Sequence, residues 1–388
     1  MSWKTLKNGE NTSVFIIDCL FYGFTQQNIK KFLDLDFTFK KLLKLNEILY
    51  FDIEEYNQFI VLLTKKTSTL KLNKLYLKYD ALLKRLNIKL KTLLKSNLKT
   101  KSTPVLDKLF IELIDDYKDI IFYYFILIIH SEYLKSELSN QLKITLKKGN
   151  DEMIEDHIAC IYNNLSTYQE KQKKELLSIA FDFSKDSRLV KQITKKTEQL
   201  VEQIKKFRKI YTRIKNHSQQ YCWINTDINK YGTYDVLEVV KQLKSLAAEN
   251  PNAQLLSMKE FLVKNKNDYN AIIKSFKNSK NVLRLIKNLE ELENKKNNTI
   301  AQFLQFQYNI NLFFDEIAAR HGLTYREMIS LTYREIVGFI KLNLLNKDIL
   351  RNRENEYAVI IEENKLKVLT GYNVQKLKES LTNEDFAF

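Results

Sequence analysis

Apolar residues recur at the helical period along most of this 388-residue chain. The clearest example runs from about Leu70 to Leu98, where leucine and tyrosine return every three or four residues and lysines fall largely between them. Residues at these intervals share one face of a helix, so we predict a long amphipathic helix with leucines inward and lysines outward. Pro104 predicts where the next helix begins, because proline fits the first helical turn and disfavours helix at the residue before it.

The same period predicts helices in the rest of the chain. The most apolar stretch, at 120–129, has ten residues against the roughly 20 that a bilayer requires, so we predict a buried helix and no membrane partner. Gly149 is the predicted C-cap of that helix. The other predictions are short helices over 11–63, the buried helix over 105–148, one helix over 151–180, one over 186–219, one that begins between 233 and 236, and a shorter and a long helix after Pro251.

The five residues Leu-Thr-Tyr-Arg-Glu occur twice, eight residues apart. In each copy a threonine precedes a glutamate by three positions, Thr324 with Glu327 and Thr332 with Glu335. This spacing is typical of the capping box, in which the two side chains satisfy backbone donors at a helix start. We therefore predict two helix starts, with Gly322 closing the preceding helix. A catalytic role for the Arg-Glu pairs is disfavoured, because adjacent helical positions do not face each other.

Near the C-terminus the period changes. Residues 356–371 contain two runs of apolar and β-branched residues around Glu363 and Asn364, which is typical of a β-hairpin. Only seven glycines and two prolines interrupt the chain, which favours helices elsewhere. The predicted fold is all-α, an elongated array of helices with one small β-hairpin, divided into a helical region at 1–220 and a second region at 221–388.

The formal net charge of +16 is concentrated in one segment. Residues 65–108 contain thirteen lysines and arginines against two acids. Such a segment either forms a solvated helix face or neutralises phosphates of a partner. Aromatic residues and arginines are scarce there, so base stacking and bidentate base recognition are poorly supported and any nucleic-acid binding is predicted to be weak. The candidate polyanion-binding residues are Lys74, Lys78, Arg85 and Lys89.

Other sites find little support in the sequence. The seven glycines are never closer than fourteen residues, which excludes Gly-rich phosphate loops. His157 with Cys160 and His217 with Cys222 have the spacing of metal ligands, but each is a lone pair. We therefore predict no catalytic residue, cofactor or metal, although a Cys-His nucleophile assembled by the fold stays open. An odd cysteine count of three suggests no disulfide framework and favours the cytoplasm.

Several segments resemble one protein family when they are taken in order. Tyr221 and Trp223 follow a predicted long helix, and the stretches at 315–340 and 351–371 contain the doubled pentapeptide and then an arginine-containing turn with the hairpin. This order resembles the helical region of phosphoenolpyruvate-utilising proteins related to phosphoenolpyruvate synthase and pyruvate phosphate dikinase. The segment 42–60 is similar to an earlier helical part of the same proteins.

The resemblance implies a function without transferring a catalytic residue. The family's chemistry belongs to an ATP-grasp domain and to a phosphohistidine domain with a Gly-Gly motif, and this chain has no Gly-Gly dipeptide. The implied function is a non-catalytic helical scaffold or docking part of a split or truncated phosphotransfer system, not an enzyme by itself. Its implied partner is a separate phosphohistidine or ATP-grasp protein. The alternative is a helical module that contacts nucleic acid or another polyanion through residues 65–108.

Overall fold

A computed structural model of the chain describes residues 3–7, 13–45, 48–66, 69–96, 98–146, 151–165, 167–226, 234–342, 345, 347–362 and 365–382. Within these residues it contains 17 α-helices and five β-strands. The predicted helical class is therefore confirmed. Despite this helix content, none of the helices in the described ranges has the length and apolarity to cross a membrane.

The helices begin and end as follows. They are α1 (Val14–Gly23), α2 (Gln26–Leu33), α3 (Ile53–Val61), α4 (Thr69–Lys95), α5 (Thr103–Leu146), α6 (Asp151–Asn163), α7 (Tyr168–Ser184), α8 (Ser187–Val190), α9 (Thr197–Ile204), α10 (Arg208–Gln220), α11 (Val236–Ala248), α12 (Pro251–Ser275), α13 (Lys280–Arg320), α14 (Tyr325–Ile329), α15 (Tyr333–Leu342), α16 (Lys347–Asn355) and α17 (Tyr372–Thr382). A π-helical turn at Leu62–Lys66 and a 3-10 turn at Leu98–Thr100 flank α4.

Contacts divide the described residues into two compact units. The first unit comprises those of 1–130 and 305–382, and the second comprises those of 131–226 and 234–304. This division differs from the predicted boundary between residues 220 and 221. It arises because distant parts of the chain pack together in the first unit, a feature that a linear boundary cannot represent.

The first unit contains an antiparallel five-stranded sheet in the order β1-β3-β2-β4-β5. Its strands are β1 (Trp3–Lys7), β2 (Lys41–Leu45), β3 (Ile48–Asp52), β4 (Tyr357–Glu362) and β5 (Lys365–Thr370). The predicted C-terminal hairpin is β4-β5, which is confirmed, while its predicted turn residues lie outside the described residues. Pairing of β2 with β4 joins this hairpin to the beginning of the chain.

The prediction of helices over 11–63 is wrong at β2 and β3. Helices α1, α2 and α3 lie in this range as expected, but residues 41–45 and 48–52 form a β-hairpin. The segment 42–60, which the resemblance led us to expect as helical, therefore begins as sheet. Short apolar runs do not distinguish strand from helix by period, and here the pairing with β4, more than 300 residues away, supplies the strand's hydrogen-bond partners.

Apolar side chains fill the first unit between the sheet and its helices. The Phe24 ring packs edge-on against Phe39, Phe51 and Phe122 at centroid distances of 5.3, 5.8 and 5.7 Å. Near the sheet, Val374 of α17 is fully buried with strand residues such as Leu43 and Ala358. Helix α17, which the sequence analysis did not predict, thus completes the core over the C-terminal hairpin.

The long helices α4 and α5 agree with the predicted ones. The predicted range from Leu70 to Leu98 becomes α4, and α5 begins at Thr103, directly before Pro104, as expected. The apolar stretch at 120–129 is mostly buried. Its predicted C-cap, Gly149, lies outside the described residues. The shorter and long helices predicted after Pro251 are confirmed as α12 and α13.

Two predicted helices of the second unit are wrong because each is divided. The helix predicted over 151–180 is interrupted between α6 and α7, where Thr167 forms a capping box with Glu170. The helix predicted over 186–219 is three helices, α8 to α10. Apolar residues keep a helical spacing across these interruptions, so the period alone did not reveal them. Of the new starts, only that of α7 has a side-chain N-cap, at Thr167, whereas the N-cap at Asp186 lies at the predicted start of α8.

Candidate functional site

Helix α4 exposes a basic face to solvent. From residue 72 to the end of the helix every lysine and arginine is exposed, whereas Leu75, Tyr79, Leu83 and Leu86 are buried on the opposite side. The predicted arrangement of leucines inward and lysines outward is confirmed. The exposed cations, hereafter the α4 basic face, are Lys74, Lys78, Lys84, Arg85, Lys89, Lys91 and Lys95.

The four candidate residues form one line along this face. Lys74, Lys78, Arg85 and Lys89 are separated by four, seven and four residues, and each interval is close to a whole number of helical turns. At about 1.5 Å of rise per residue the line is roughly 22 Å long. Cations spaced in this way can contact several successive phosphate groups of one partner.

Two of these candidates face acidic side chains on α5. Arg85 Nη2 lies 4.0 Å from Asp116 Oδ1, and Lys89 Nζ lies 3.7 Å from Glu112 Oε2. Such exposed pairs are weak, but the carboxylates lower the positive potential next to Arg85 and Lys89. These pairs could not be predicted from the sequence, since they depend on how α4 packs against α5.

Three lysines of the α4 basic face are better placed to bind an anionic partner than the candidates Arg85 and Lys89. Lys74, Lys84 and Lys91 have no acidic side chain within ion-pair distance among the described residues. Lys84 and Lys91 lie seven residues apart on the same face, and neither was among the candidates. Their charges are therefore available to a partner without competition from a carboxylate.

Two large aliphatic side chains also lie on the outward side of α4. Leu77 is 64% exposed and Ile88 is 59% exposed. They are eleven residues apart, close to three full turns, so both lie on the side of the helix occupied by Lys84. Neither side chain was predicted to lie outward, because both fall outside the periodic apolar stripe.

The doubled pentapeptide forms two capping boxes, as predicted. The Glu327 N–H donates to Thr324 Oγ1 at 3.2 Å, and the Thr324 N–H donates to Glu327 Oε2 at 2.7 Å. Thr332 and Glu335 repeat this arrangement at 3.3 and 2.7 Å. Gly322 closes α13 at a φ of 70°, where glycine avoids the strain that a Cβ would cause.

The second box has an additional partner that the first lacks. Arg353 donates from Nη1 to Glu335 Oε2 at 2.7 Å and from Nη2 to Oε1 at 2.9 Å. Its Nη1 also donates to the Ser330 carbonyl at 2.8 Å, and the residue is only 8% exposed. Burial acts to raise the pKa of Glu335, but the hydrogen bonds from Arg353 and Thr332 outweigh it and the pKa is lowered. The arginine that stabilises the Glu335 carboxylate is therefore Arg353, 18 residues away, and not the adjacent Arg334 of the pentapeptide.

Tyr333, between the second threonine and glutamate, ties α15 to α1 and α5. Its N–H donates to Asp18 Oδ2 at 2.6 Å and its hydroxyl donates to Asp115 Oδ1 at 2.9 Å. The buried Lys118 contacts both Tyr333 and Asp115, with its Nζ 3.6 Å from the Tyr333 ring centroid and 2.8 Å from Asp115 Oδ1. Burial raises the pKa of Asp18, partly opposed by the Tyr333 N–H. These contacts give the second pentapeptide a structural role.

The four histidines all have partners within their own unit. In the first unit, the Tyr76 hydroxyl oxygen lies 2.7 Å from His130 Nδ1, and burial lowers the pKa of His130 to about 4. His321 Nε2 lies 2.9 Å from Asp107 Oδ1. In the second unit, His157 Nδ1 donates to the Met153 carbonyl, an internal contact that uses one of its two ring nitrogens.

His217 lies in a buried polar cluster of the second unit. Its Nε2 is 3.3 Å from the Tyr234 hydroxyl, which also accepts a hydrogen bond from Gln172 Nε2 at 2.6 Å. Glu175 Oε1 is 3.6 Å from His217 Nδ1, beyond a normal hydrogen bond. Burial lowers the pKa of His217, opposed by Glu175. The histidine is 0% exposed, so this cluster is internal and offers no surface to a substrate.

An ion pair within α13 of the second unit is hydrogen-bonded to Ser131 of α5. Lys296 Nζ donates to Glu293 Oε1 at 2.6 Å and to Ser131 Oγ at 3.0 Å, and Ser131 also donates to Glu293. The serine and lysine resemble a nucleophile with its base, but Glu293 accepts hydrogen bonds from both and Ser131 is 0% exposed. The charges instead compensate each other inside the protein.

Throughout the described ranges, no group of three or more His, Cys, Asp or Glu side chains could hold a metal ion. Comparison of the sequence with family models and with curated proteins gave no match. The resemblance to phosphoenolpyruvate-utilising proteins therefore stays a prediction, and the α4 basic face is the surface from which a function can be argued.

Proposed function

We propose that this protein is a helical binding module for phosphate-bearing polyanions and that it binds them through the α4 basic face. The observation that carries the proposal is the exposure of all seven cations between residue 72 and the end of α4, with Asp80 as the one acid in that range. Phosphate binding rests on such cations, because each neutralised phosphate releases condensed counterions.

The side chains of α4 favour binding that depends on charge rather than on base sequence. Six of the seven cations are lysines, which act as point charges, and Arg85 is the one guanidinium among them. The two tyrosines of the helix, Tyr76 and Tyr79, are buried, so their rings cannot stack on bases. We therefore expect similar affinities for different oligonucleotide sequences and a steep loss of affinity with salt.

Charge-neutral variants test this proposal. We expect that replacing four lysines of the α4 basic face by Gln removes most retention on an immobilised oligonucleotide at about 0.1 M salt, where the Debye length is about 10 Å. The matched control replaces four exposed lysines of α12 and lowers the net charge equally. The test set is Lys74, Lys78, Lys84 and Lys91, and the control set is Lys259, Lys264, Lys266 and Lys274.

The control separates a site from general charge. Stronger loss in the test set than in the control set supports the α4 basic face. Equal loss in both sets would show that only the net charge matters, and tight binding of one defined oligonucleotide would contradict the proposed independence of sequence.

As a second candidate, we propose a scaffold that docks a separate phosphohistidine or ATP-grasp protein, as the resemblance implies. Its support is local: helix starts lie at Thr324 and Thr332 and the β4-β5 hairpin follows them, in the order expected from the resembling segments, although the arginines of the expected turn lie in helix α16. A neighbouring reading frame for a phosphohistidine domain, and direct binding of that domain to this chain, would support it. Purified domains that fail to bind would refute it.

The proposed setting is the cytoplasm. Its support is the cysteine usage, since three cysteines without a predicted disulfide framework fit a reducing compartment. Cell fractionation would test this, and recovery of the protein outside the cytoplasm would contradict it.

A further inference from the structure

Leu77 and Ile88 add an apolar element to the α4 basic face. They are among the more exposed large hydrophobic side chains of the described residues, and Lys84 lies between them along the helix. At about 1.5 Å per residue the two side chains are roughly 17 Å apart along the axis. A partner that covers this face must therefore accept aliphatic groups and cations side by side.

Few polyanions meet both requirements. Nucleic acid offers phosphates and aromatic bases, and isolated aliphatic side chains would gain little from bases that stack best on aromatic rings. The surface of an anionic bilayer offers phosphate and carboxylate headgroups directly above acyl chains. Helices that lie in this interface carry lysines on their polar side and leucine-like residues on the side that enters the membrane.

We propose that the α4 basic face binds the surface of an anionic lipid bilayer, with Leu77 and Ile88 entering the boundary between headgroups and acyl chains. This proposal rests on the proposed polyanion-binding function and names its partner. Lys74 and Lys78 on one side and Lys91 near the other end of the helix then face the headgroups. Clusters of four to eight lysines and arginines on a helix are typical of binding to anionic headgroups.

This mode of binding is compatible with the finding on membrane spans. A helix that lies on a bilayer enters it by only about 5–10 Å, so it needs no apolar segment long enough to cross. The opposite face of α4 remains packed in the first unit through residues such as Leu83 and Leu86. The sequence prediction of no membrane partner considered only spanning segments, and the outward aliphatic residues change that expectation.

Vesicle binding tests the proposal on the full chain. The probes are vesicles of equimolar phosphatidylserine and phosphatidylcholine, vesicles of phosphatidylcholine alone, and a single-stranded oligonucleotide. Of the two lipid probes, we expect the protein to co-sediment with the anionic vesicles and not with the vesicles of phosphatidylcholine alone. The double variant Leu77→Gln with Ile88→Gln should lower the vesicle partition coefficient about tenfold and leave oligonucleotide retention unchanged, because it removes apolar surface and no charge.

Two further variants complete the design. Leu342→Gln is the matched control, since Leu342 is 67% exposed but lies on α15, and it should leave the vesicle partition unchanged. Leu77→Trp should strengthen vesicle binding and add a fluorescence component that shifts to shorter wavelength with anionic vesicles, as tryptophan prefers the interface.

The possible outcomes distinguish this inference from the proposed function. Unchanged vesicle binding in the Leu77 and Ile88 double variant would overturn the lipid assignment, as would binding to the oligonucleotide without binding to anionic vesicles. In both cases the polyanion-binding function would stand. Failure to bind either anionic probe would overturn both proposals together.

Discussion

The two capping boxes allow one prediction to be tested within a single chain. Glu327→Ala and Glu335→Ala remove the same side chain from the same local motif, yet only Glu335 is bonded to a buried arginine. We expect Glu327→Ala to cost about 0.5–1.5 kcal/mol, the net value of a hydrogen bond. Glu335→Ala additionally leaves Arg353 without its carboxylate, and breaking such a buried pair costs about 3–5 kcal/mol.

The structure places the second value at the lower end of its range. The Glu335 side chain is 29% exposed, so water can partly replace it, and Arg353 keeps its bond to the Ser330 carbonyl. We therefore expect a loss of about 3 kcal/mol for Glu335→Ala. Urea denaturation should show this as a lower midpoint at an unchanged slope.

A double variant separates the ion pair from the cap. Arg353→Met alone should also destabilise the protein. The double variant should lose about 1–3 kcal/mol less stability than the sum of the two single losses, because the second change removes an already unpaired charge. Equal losses for Glu327→Ala and Glu335→Ala, or strict additivity of the pair, would refute a stabilising role for the Arg353 contact.

The pH dependence has a definite sign. The pKa of Glu335 is lower in the folded protein than its usual value of 4.5, so its contribution is complete above that pH and is lost as the pH falls through the folded pKa. The difference in stability between the native protein and Glu335→Ala should therefore shrink in acid. A difference that stays constant between neutral and strongly acidic pH would contradict this reasoning.

Two further predictions concern the core of the first unit. Burial lowers the pKa of His130 to about 4, so as the pH falls the unfolded chain takes up this proton first. The free energy of unfolding should therefore decrease by about 3 kcal/mol as the pH falls from about 7 towards 4. His130→Gln, which can still form a hydrogen bond with the Tyr76 hydroxyl, should flatten this part of a stability-against-pH curve, and an unchanged curve would refute the assignment. Gly23→Ala should cost about 1–3 kcal/mol of stability, because a Cβ at this position overlaps the Phe122 ring. Gly338→Ala is the control within α15: its Cβ meets open space, so the change should be neutral or stabilising by up to about 1 kcal/mol. Equal melting temperatures for the two variants would contradict this difference.

Features carried by neighbouring residues could be predicted from the sequence. The amphipathic period over α4, the capping residues Thr324 and Thr332 and the turn at Gly322 all depend on interactions within a few positions of the chain. The outward direction of the lysines follows from the same period, so the general nature of the candidate site was also predictable. The breaks after α6, α8 and α9 were missed, although Thr167 and Glu170 at the first of them have the same spacing as the recognised boxes.

The tertiary structure decided the features that join distant segments. Residues 41–45 and 48–52 form strands because β2 pairs with β3 and with β4, which is more than 300 residues away, and an apolar run of that length suits either a strand or a helix until a partner supplies its hydrogen bonds. The ion pairs of Arg85 and Lys89 likewise depend on how α5 packs beside α4. The sequence by itself determined which faces of the helices are apolar, since side-chain period follows from local backbone geometry, whereas the partners of those faces depend on long-range packing.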